Sequence, residues 1–348
     1  MENFSIDALI GRTGMDPIPT VLTEPYSYIS SIPGNNQNMR YRFIVAFNEM
    51  FFKIQDKAVL EEIGTIISIF HDSSLLIDDI EDASEKRRGQ ESAHIKYGTP
   101  LTINCGNLMY FEALRRATNV LPELRKHPSV SVSELQTRTN SILVDEMLNL
   151  HHGQGLDIFW RDTLLRQWHH GEAELPSLQE YLLMVMNKTG GLFRLSVRLL
   201  ALFTDDCTVE IEKLVTFSNL LGIIYQVRDD YLNLVDDRYQ EMKGIRGEDL
   251  AEGKISLPIL YALKEVPPGS PIHDLFFGYN SVKQRLQVPA KLEETVLYMQ
   301  QATQSLKVTY KLLQEYVAKA QAFLVGEGGA EDSLLMKVIT HLGEVPEV

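Results

Sequence analysis

The chain has 348 residues, two cysteines and a formal net charge of −14. That length holds one large domain or two ordinary ones with ample core. The acidic balance argues against a general nucleic-acid binder and against adsorption to anionic membranes.

Taken in chain order, residues 1–23 read as an irregular arm, and residues 24–348 as a single all-α domain. Pro25, Pro33 and Gly34 mark a loop. Helical periodicity then begins with Met39, Phe43, Phe47 and Met50 on one stripe. Ile63, Ile66, Ile67, Phe70, Ser74 and Ile77 recur at spacings of three and four. The runs 101–118, 133–150 and 178–204 read the same way, and Leu220, Ile224, Val227 and Tyr231 continue the pattern. Residues 291–324 read as a long charged helix ended by Gly326, Gly328 and Gly329, and 332–342 as a last short one. Breaks are expected at 84–100, 121–130, 153–177, 236–257 and 265–288. No period-two alternation or internal repeat is seen, so no strand is expected. Cys105 and Cys207 read as buried free thiols. With no secretory signal, membrane-length apolar run or lipidation motif in view, a cytoplasmic location and no stable membrane insertion are expected.

Two acid clusters stand out. On a helix, residues four apart share a face, so Asp78 and Asp82 point the same way with Asp79 beside them. Carboxylates packed together raise one another's pKa unless a cation compensates. Mg²⁺ suits such a set, because it prefers hard oxygen ligands and is usually shared with substrate phosphates. A solvated charged face is the bland alternative. Against it, the apolar stripe runs right up to Ile77. A second cluster, Asp229 and Asp230, follows another apolar helix, with Gln226 and Asn233 one turn away. Two such helix ends suggest a shared cavity bridged by metal ions. Arg87, Arg88, Lys188, Lys243 and Lys254 add cations near loops and helix ends, completing a diphosphate clamp. The chemistry expected is departure of a diphosphate, with a carbocation forming in an apolar pocket.

These residues also carry a resemblance. Asp78-Asp79-Ile80-Glu81-Asp82 with Arg87-Arg88-Gly89 resembles the first aspartate-rich motif of the trans-isoprenyl diphosphate synthases. His151-His152-Gly153-Gln154-Gly155-Leu156-Asp157, Lys188-Thr189-Gly190-Gly191, Gln226-Val227-Arg228-Asp229-Asp230 and Gly253-Lys254 resemble its other motifs in order. The match runs from about Glu24 to about residue 342 and looks closest to fungal and animal geranylgeranyl diphosphate synthases. The resemblance implies an all-α bundle around a deep cavity, often dimeric, so a homodimer is expected. It implies that Asp78, Asp82 and Asp229 bind two to three Mg²⁺ ions, with Asp79, Asp230 and Lys188 also in the catalytic set. It implies that Arg87, Lys188, Thr189, Lys243 and Lys254 hold the allylic diphosphate, with Gln226, Asp230 and Asn233 nearby. Arg40, His71 and Arg88 would hold isopentenyl diphosphate. In the family, bulky aromatics four and five residues before the first aspartate block chain growth. Here those positions are Ser74 and Ser73, roughly 6–7.5 Å down the helix axis. Tyr110, Phe111 and His151 resemble the deeper floor, although ordinary core roles suit them too.

One stretch departs from the family's Gly-Lys-x-x-Arg pattern. Pro33-Gly34-Asn35-Asn36-Gln37-Asn38-Met39-Arg40 keeps the arginine and lacks the lysine, with Asn35 or Gln37 in its place. A lost charge-assisted hydrogen bond of roughly 1.5–3 kcal/mol weakens acceptor binding about tenfold to a hundredfold. Four readings follow. The main one is a geranylgeranyl diphosphate synthase using isopentenyl diphosphate. The alternative transfers a geranylgeranyl group to indole-3-glycerol phosphate, as a synthase-like enzyme of indole diterpene (secondary metabolite) pathways does. A non-catalytic partner subunit or a terpene cyclase fits the intact aspartate motifs less well.

Overall fold

A computed structural model describes residues 10–11, 17–33, 37–125, 130–206, 208–236 and 246–348, with the side chains of 37–39 excepted. Eight helices frame the site. They are α1 (Gln37–Phe47), α2 (Lys57–Glu81), α3 (Thr99–Arg115), α4 (Val132–Phe159), α5 (Leu178–Lys188), α6 (Gly190–Phe203), α7 (Ile211–Val235) and α8 (Ser305–Gly326). Shorter helices fill the connections, among them Glu248–Glu252, Leu257–Glu265 and Val282–Leu286.

Local chemistry explains the starts. Asp56 caps α2 by accepting from the Ala58 amide at 2.9 Å, and Ser131 caps α4 from the Glu134 amide at 3.1 Å. Ser177 and Glu180 form a reciprocal capping box on α5. The apolar stripe of α2 is buried as its periodicity predicts: Ile63 and Ile66 are fully covered, and Ile67 and Phe70 nearly so. Helix α2 packs on α3, α4 on α5 and α6, α6 on α7, and α7 on α8. These contacts bring the C-terminal ends of α2 and α7 to one region.

Four expectations change. The break expected from 153 begins only after His169, because α4 runs through Gly153 to Phe159 and continues as helical turns. Gly153 breaks nothing; it lets α5 approach, since a Cβ there would stand 2.3 Å from the Lys188 backbone nitrogen. The run 178–204 divides at Thr189 into α5 and α6, and the helix expected over 291–324 divides between Ala302 and Ser305. A two-residue hairpin, Lys86–Arg87 with Gln90–Glu91, was not expected. Its turn residues Arg88 (φ 52°) and Gly89 (φ 78°) both adopt the left-handed conformation that tight hairpins require. Cys105 is buried and free; Cys207 lies outside the described residues. No described helix is long and apolar enough to cross a membrane.

Candidate active site

The C-terminal end of a helix carries partial negative charge, so acids gathered there are unfavourable unless cations meet them. At the end of α2 they are met. Asp79 is buried and pairs with Arg87, whose Nε lies 2.7 Å from Asp79 Oδ1 and whose Nη2 lies 3.3 Å from Asp78 Oδ2. Burial would lower the Arg87 pKa; Asp79 and then Asp78 outweigh it and hold the guanidinium firmly charged. From α4, Gln154 Nε2 donates to Asp78 Oδ1 at 3.1 Å and to Glu81 Oε2 at 2.8 Å. Arg161, just past α4, pairs with Asp82 and donates to the Glu81 carbonyl at 2.8 Å. Burial, then the Asp78 charge, still pushes the Asp82 carboxyl up to about 7 against Lys188 and Arg161.

The second cluster splits into two roles. Asp230 faces inward and accepts from the Tyr181 hydroxyl, from Gln226 Nε2 at 2.7 Å and from the Leu257 amide at 2.8 Å. Asp229, about 100° round the helix, is half-buried. Thr189 donates to Gln226 Oε1 at 2.6 Å, which tethers the α5–α6 junction to α7. Asn233 does not face the diphosphate region. Its Oδ1 accepts from the Asp249 amide at 3.2 Å and starts the Glu248–Glu252 helix.

Two lysines stand between the clusters. Lys188 Nζ lies 2.5 Å from Asp157 Oδ2 and 3.9 Å from Asp78 Oδ1. Lys254 Nζ lies 3.5 Å from Asp249 Oδ1 and 3.9 Å from Asp230 Oδ1. Burial would lower both lysines, but Asp157 and Asp78 raise Lys188, and Asp249 and Asp230 raise Lys254 well above its usual value. Burial would raise Asp157, yet Lys188 and then Lys254 hold it low. Alternating charges therefore link Asp78, Lys188, Asp157, Lys254 and Asp230. Lys243 lies outside the described residues.

The three acceptor candidates also gather. Arg40 Nη2 meets Asp72 Oδ1 at 3.0 Å, and Ser30 donates to the other oxygen at 2.9 Å. Burial and then Arg40, Arg87 and Arg88 push the His71 pKa well below its usual value. Burial, then Arg87, lowers Arg88, whose buried Nη1 has no hydrogen-bond partner among the described residues. A guanidinium among like charges with a spare buried donor is suited to an anion. Of the residues where the expected Gly-Lys lysine is missing, Asn35 and the Gln37 side chain lie outside the described set.

For chain length, Ser73 is buried beside α3, and Ser74 donates to the His71 carbonyl at 2.8 Å. The Tyr110 ring lies 6.1 Å from Phe70 and 5.9 Å from His151, centre to centre. His151 is exposed, with Nδ1 2.8 Å from the Met147 carbonyl. Phe111 is not part of this floor. It is 69% exposed, because it lies on the outer stripe of α3 with Ile103, eight residues before it.

The donor set fits Mg²⁺. Among the described residues no three His, Cys, Asp or Glu side chains converge on one point. Mg²⁺ is usually held by one or two carboxylates, with water and phosphate oxygens completing the shell. Asp78 with Asp82, and Asp229 opposite, supply hard oxygens on that scale. The raised Asp82 carboxyl marks a place where a further cation is favourable.

Gln154, Asp157, Arg161, Tyr181, Asp72 and Asp249 carry roles that the motifs alone did not assign. Asp157 and Gln154 were visible inside the His151–Asp157 motif; Arg161, Tyr181 and Asp72 gave no signal, because their partners Asp82, Asp230 and Arg40 lie far along the chain.

Helix ends tipped with acids, basic residues between and beside them, and a helical wall make this an all-α transferase that handles prenyl diphosphates. The family model for polyprenyl synthetase matches residues 19–284. The chain is 38% identical to geranylgeranyl pyrophosphate synthase of Eremothecium gossypii over 313 residues, covering 89% of this chain and 90% of that one. It is 38% identical to geranylgeranyl pyrophosphate synthase cle6 of Aspergillus versicolor over 327 residues, covering 92% and 76%. Its fold matches geranylgeranyl pyrophosphate synthetase from Pyrococcus horikoshii with a TM-score of 0.73 at 20% identity, over 94% and 91% of the two chains. The chain belongs to the polyprenyl synthetase family and is a prenyltransferase.

Proposed function

We propose that this protein is a geranylgeranyl diphosphate synthase that ionises an allylic prenyl diphosphate and joins it to isopentenyl diphosphate. One observation carries the reading: two separate groups of basic side chains flank the acid-tipped helix ends. Lys188 and Lys254 stand on one side, and Arg40, Arg88 and His71 gather on the other. Two diphosphates fit two such groups. An indole acceptor with a single phosphate gains less from them, and the names of the fungal relatives favour the diphosphate acceptor.

Asp78, Asp82 and Asp229 would hold two to three Mg²⁺ ions, which when bound neutralise the diphosphate oxygens. Lys188, Lys254 and Arg87 hold the allylic diphosphate and take up the charge that develops as its C1–O bond opens. Thr189 and Gln226 orient that region through their mutual hydrogen bond. Asp79 and Asp230 fix Arg87 and the α5–α7 contact. Arg40, His71 and Arg88 hold the acceptor, and the small side chains of buried Ser73 and half-buried Ser74 leave room for the growing tail. A homodimer fits the outer surface. Val144, Leu148, Leu156 and Phe159 form an exposed apolar stripe along α4, and Ile103 and Phe111 form one on α3.

The test is a competition assay with Mg²⁺, a labelled allylic donor series, isopentenyl diphosphate and indole-3-glycerol phosphate, with products identified by mass. A twenty-carbon diphosphate is expected. A geranylgeranyl-indole product with little elongation would overturn the reading.

A further inference from the structure

Arg285 lies one residue beyond the family-model match and outside every motif described above. It is 7% exposed, and its guanidinium reaches only main-chain oxygens. Nε donates to the Ala251 carbonyl at 2.6 Å, Nη2 to Glu252 at 2.8 Å and Nη1 to Tyr279 at 2.8 Å. No carboxylate pairs with it among the described residues. Burial, then Arg161 and Arg166, lowers its pKa to about 10, so it stays charged at neutral pH.

Asp162 and Glu252 offset that lowering only in part. A buried cation with no carboxylate in contact is expensive, so its placement needs a reason. Its donors meet the last carbonyls of the Glu248–Glu252 helix, the end that carries partial negative charge. Gly253 follows at φ 80°, and a Cβ there would stand 2.9 Å from Arg285 Nη2. Lys254 comes next, its amide bonded to the Asp249 carbonyl at 2.9 Å. Asn233 fixes the other end of the same turn. The segment that presents Lys254 is thus held at both ends.

We propose that Arg285 is a positioning residue for Lys254: its guanidinium clamps the end of the Glu248–Glu252 helix and so sets where the Lys254 ammonium stands. This rests on the reading that Lys254 holds the allylic diphosphate. Arg285 touches no substrate; it acts through the backbone of residues 251–253.

A double-mutant cycle separates positioning from general stability. The binding of inorganic pyrophosphate with Mg²⁺ is measured by calorimetry on the full chain, for wild type, Arg285→Met, Lys254→Met and the double variant. Arg285→Met is expected to weaken binding about tenfold in the wild-type background and less than about twofold when Lys254 is already gone. Arg285→Lys keeps one donor and the charge, and is expected to recover part of the loss; if Arg285→Met does not fold, Arg285→Lys carries the same cycle. Equal losses in both backgrounds, or no loss from Arg285→Met, would overturn the proposal. No loss from Lys254→Met alone would overturn the underlying reading of Lys254 instead.

Discussion

Gly153 and Gly155 lie two residues apart in α4, and alanine should act in opposite directions at the two. At Gly153 a Cβ would meet the Lys188 nitrogen at 2.3 Å and Lys188 Cα at 2.8 Å. Ordinary contact begins near 3.4 Å, and the obstacle is backbone, which cannot swing aside. Helix α5 must retreat by about an ångström or distort. Overpacking of this kind costs about 1–3 kcal/mol, against a gain of up to about 1 kcal/mol in helix propensity. The net loss of roughly 1–2 kcal/mol shifts the melting temperature by only a few degrees in a chain this long. Turnover is the sharper readout, because a misplacement of about 1 Å in a catalytic group can lower the rate on the order of a hundredfold. At Gly155 a Cβ meets nothing within 4 Å, so alanine there should stabilise by about 0.5–1 kcal/mol and leave turnover unchanged. Paired melting curves and steady-state kinetics on the two variants decide the matter. Normal turnover in Gly153→Ala, or the same sign of stability change in both, would refute the reasoning.

Other substitutions test other parts. Asp78→Ala removes an acid shared by Arg87, Gln154 and Lys188, and should abolish product formation while circular dichroism stays native; wild-type turnover in the folded variant would sink the metal-clamp account. Glu146 is fully buried against Arg194 and Arg198, so Glu146→Gln should cost about 3–5 kcal/mol by urea denaturation. Ser74→Phe should shift the longest product to a shorter chain, and an unchanged product spectrum would remove Ser74 from the chain-length pocket. The folded His71 has a depressed pKa, so the unfolded chain binds its proton more readily. Stability should therefore fall as pH drops below about 6.5, by at most about 1.4 kcal/mol per pH unit from this group. His71→Gln should flatten that window in a pH series of urea midpoints.

The helices were legible where an apolar stripe repeats, as at Ile63, Ile66, Ile67 and Phe70. The acid-rich ends of α2 and α7 were legible too, because a short spacing rule relates their members. Which acid is buried was harder to read. Asp79 and Asp230, expected in the catalytic set, are the buried members, each about 100° round the helix from its neighbour. Asp79 meets Arg87, and Asp230 meets Tyr181, Gln226 and the Leu257 amide. Phe111 misled for the same reason, its rotational phase carrying it outward. A break was expected from residue 153 because propensity is local, whereas Gly153 sits in a helix and makes room for the α5 backbone at Lys188, 35 residues away. Gln154 and Arg161 reach partners 76 and 79 residues distant, beyond any local pattern.

The alternating row from Asp78 through Lys188, Asp157 and Lys254 to Asp230 has a consequence for handling the protein. Each acid in the row already has an ammonium, guanidinium or amide at hand, so the chain supplies its own stand-in for the positive charge that Mg²⁺ would bring. Stripping divalent ions with a chelator should therefore leave a folded, soluble protein that is merely idle, and returning Mg²⁺ should restart it without a refolding lag. Small domains that owe their folding energy to a metal behave the other way.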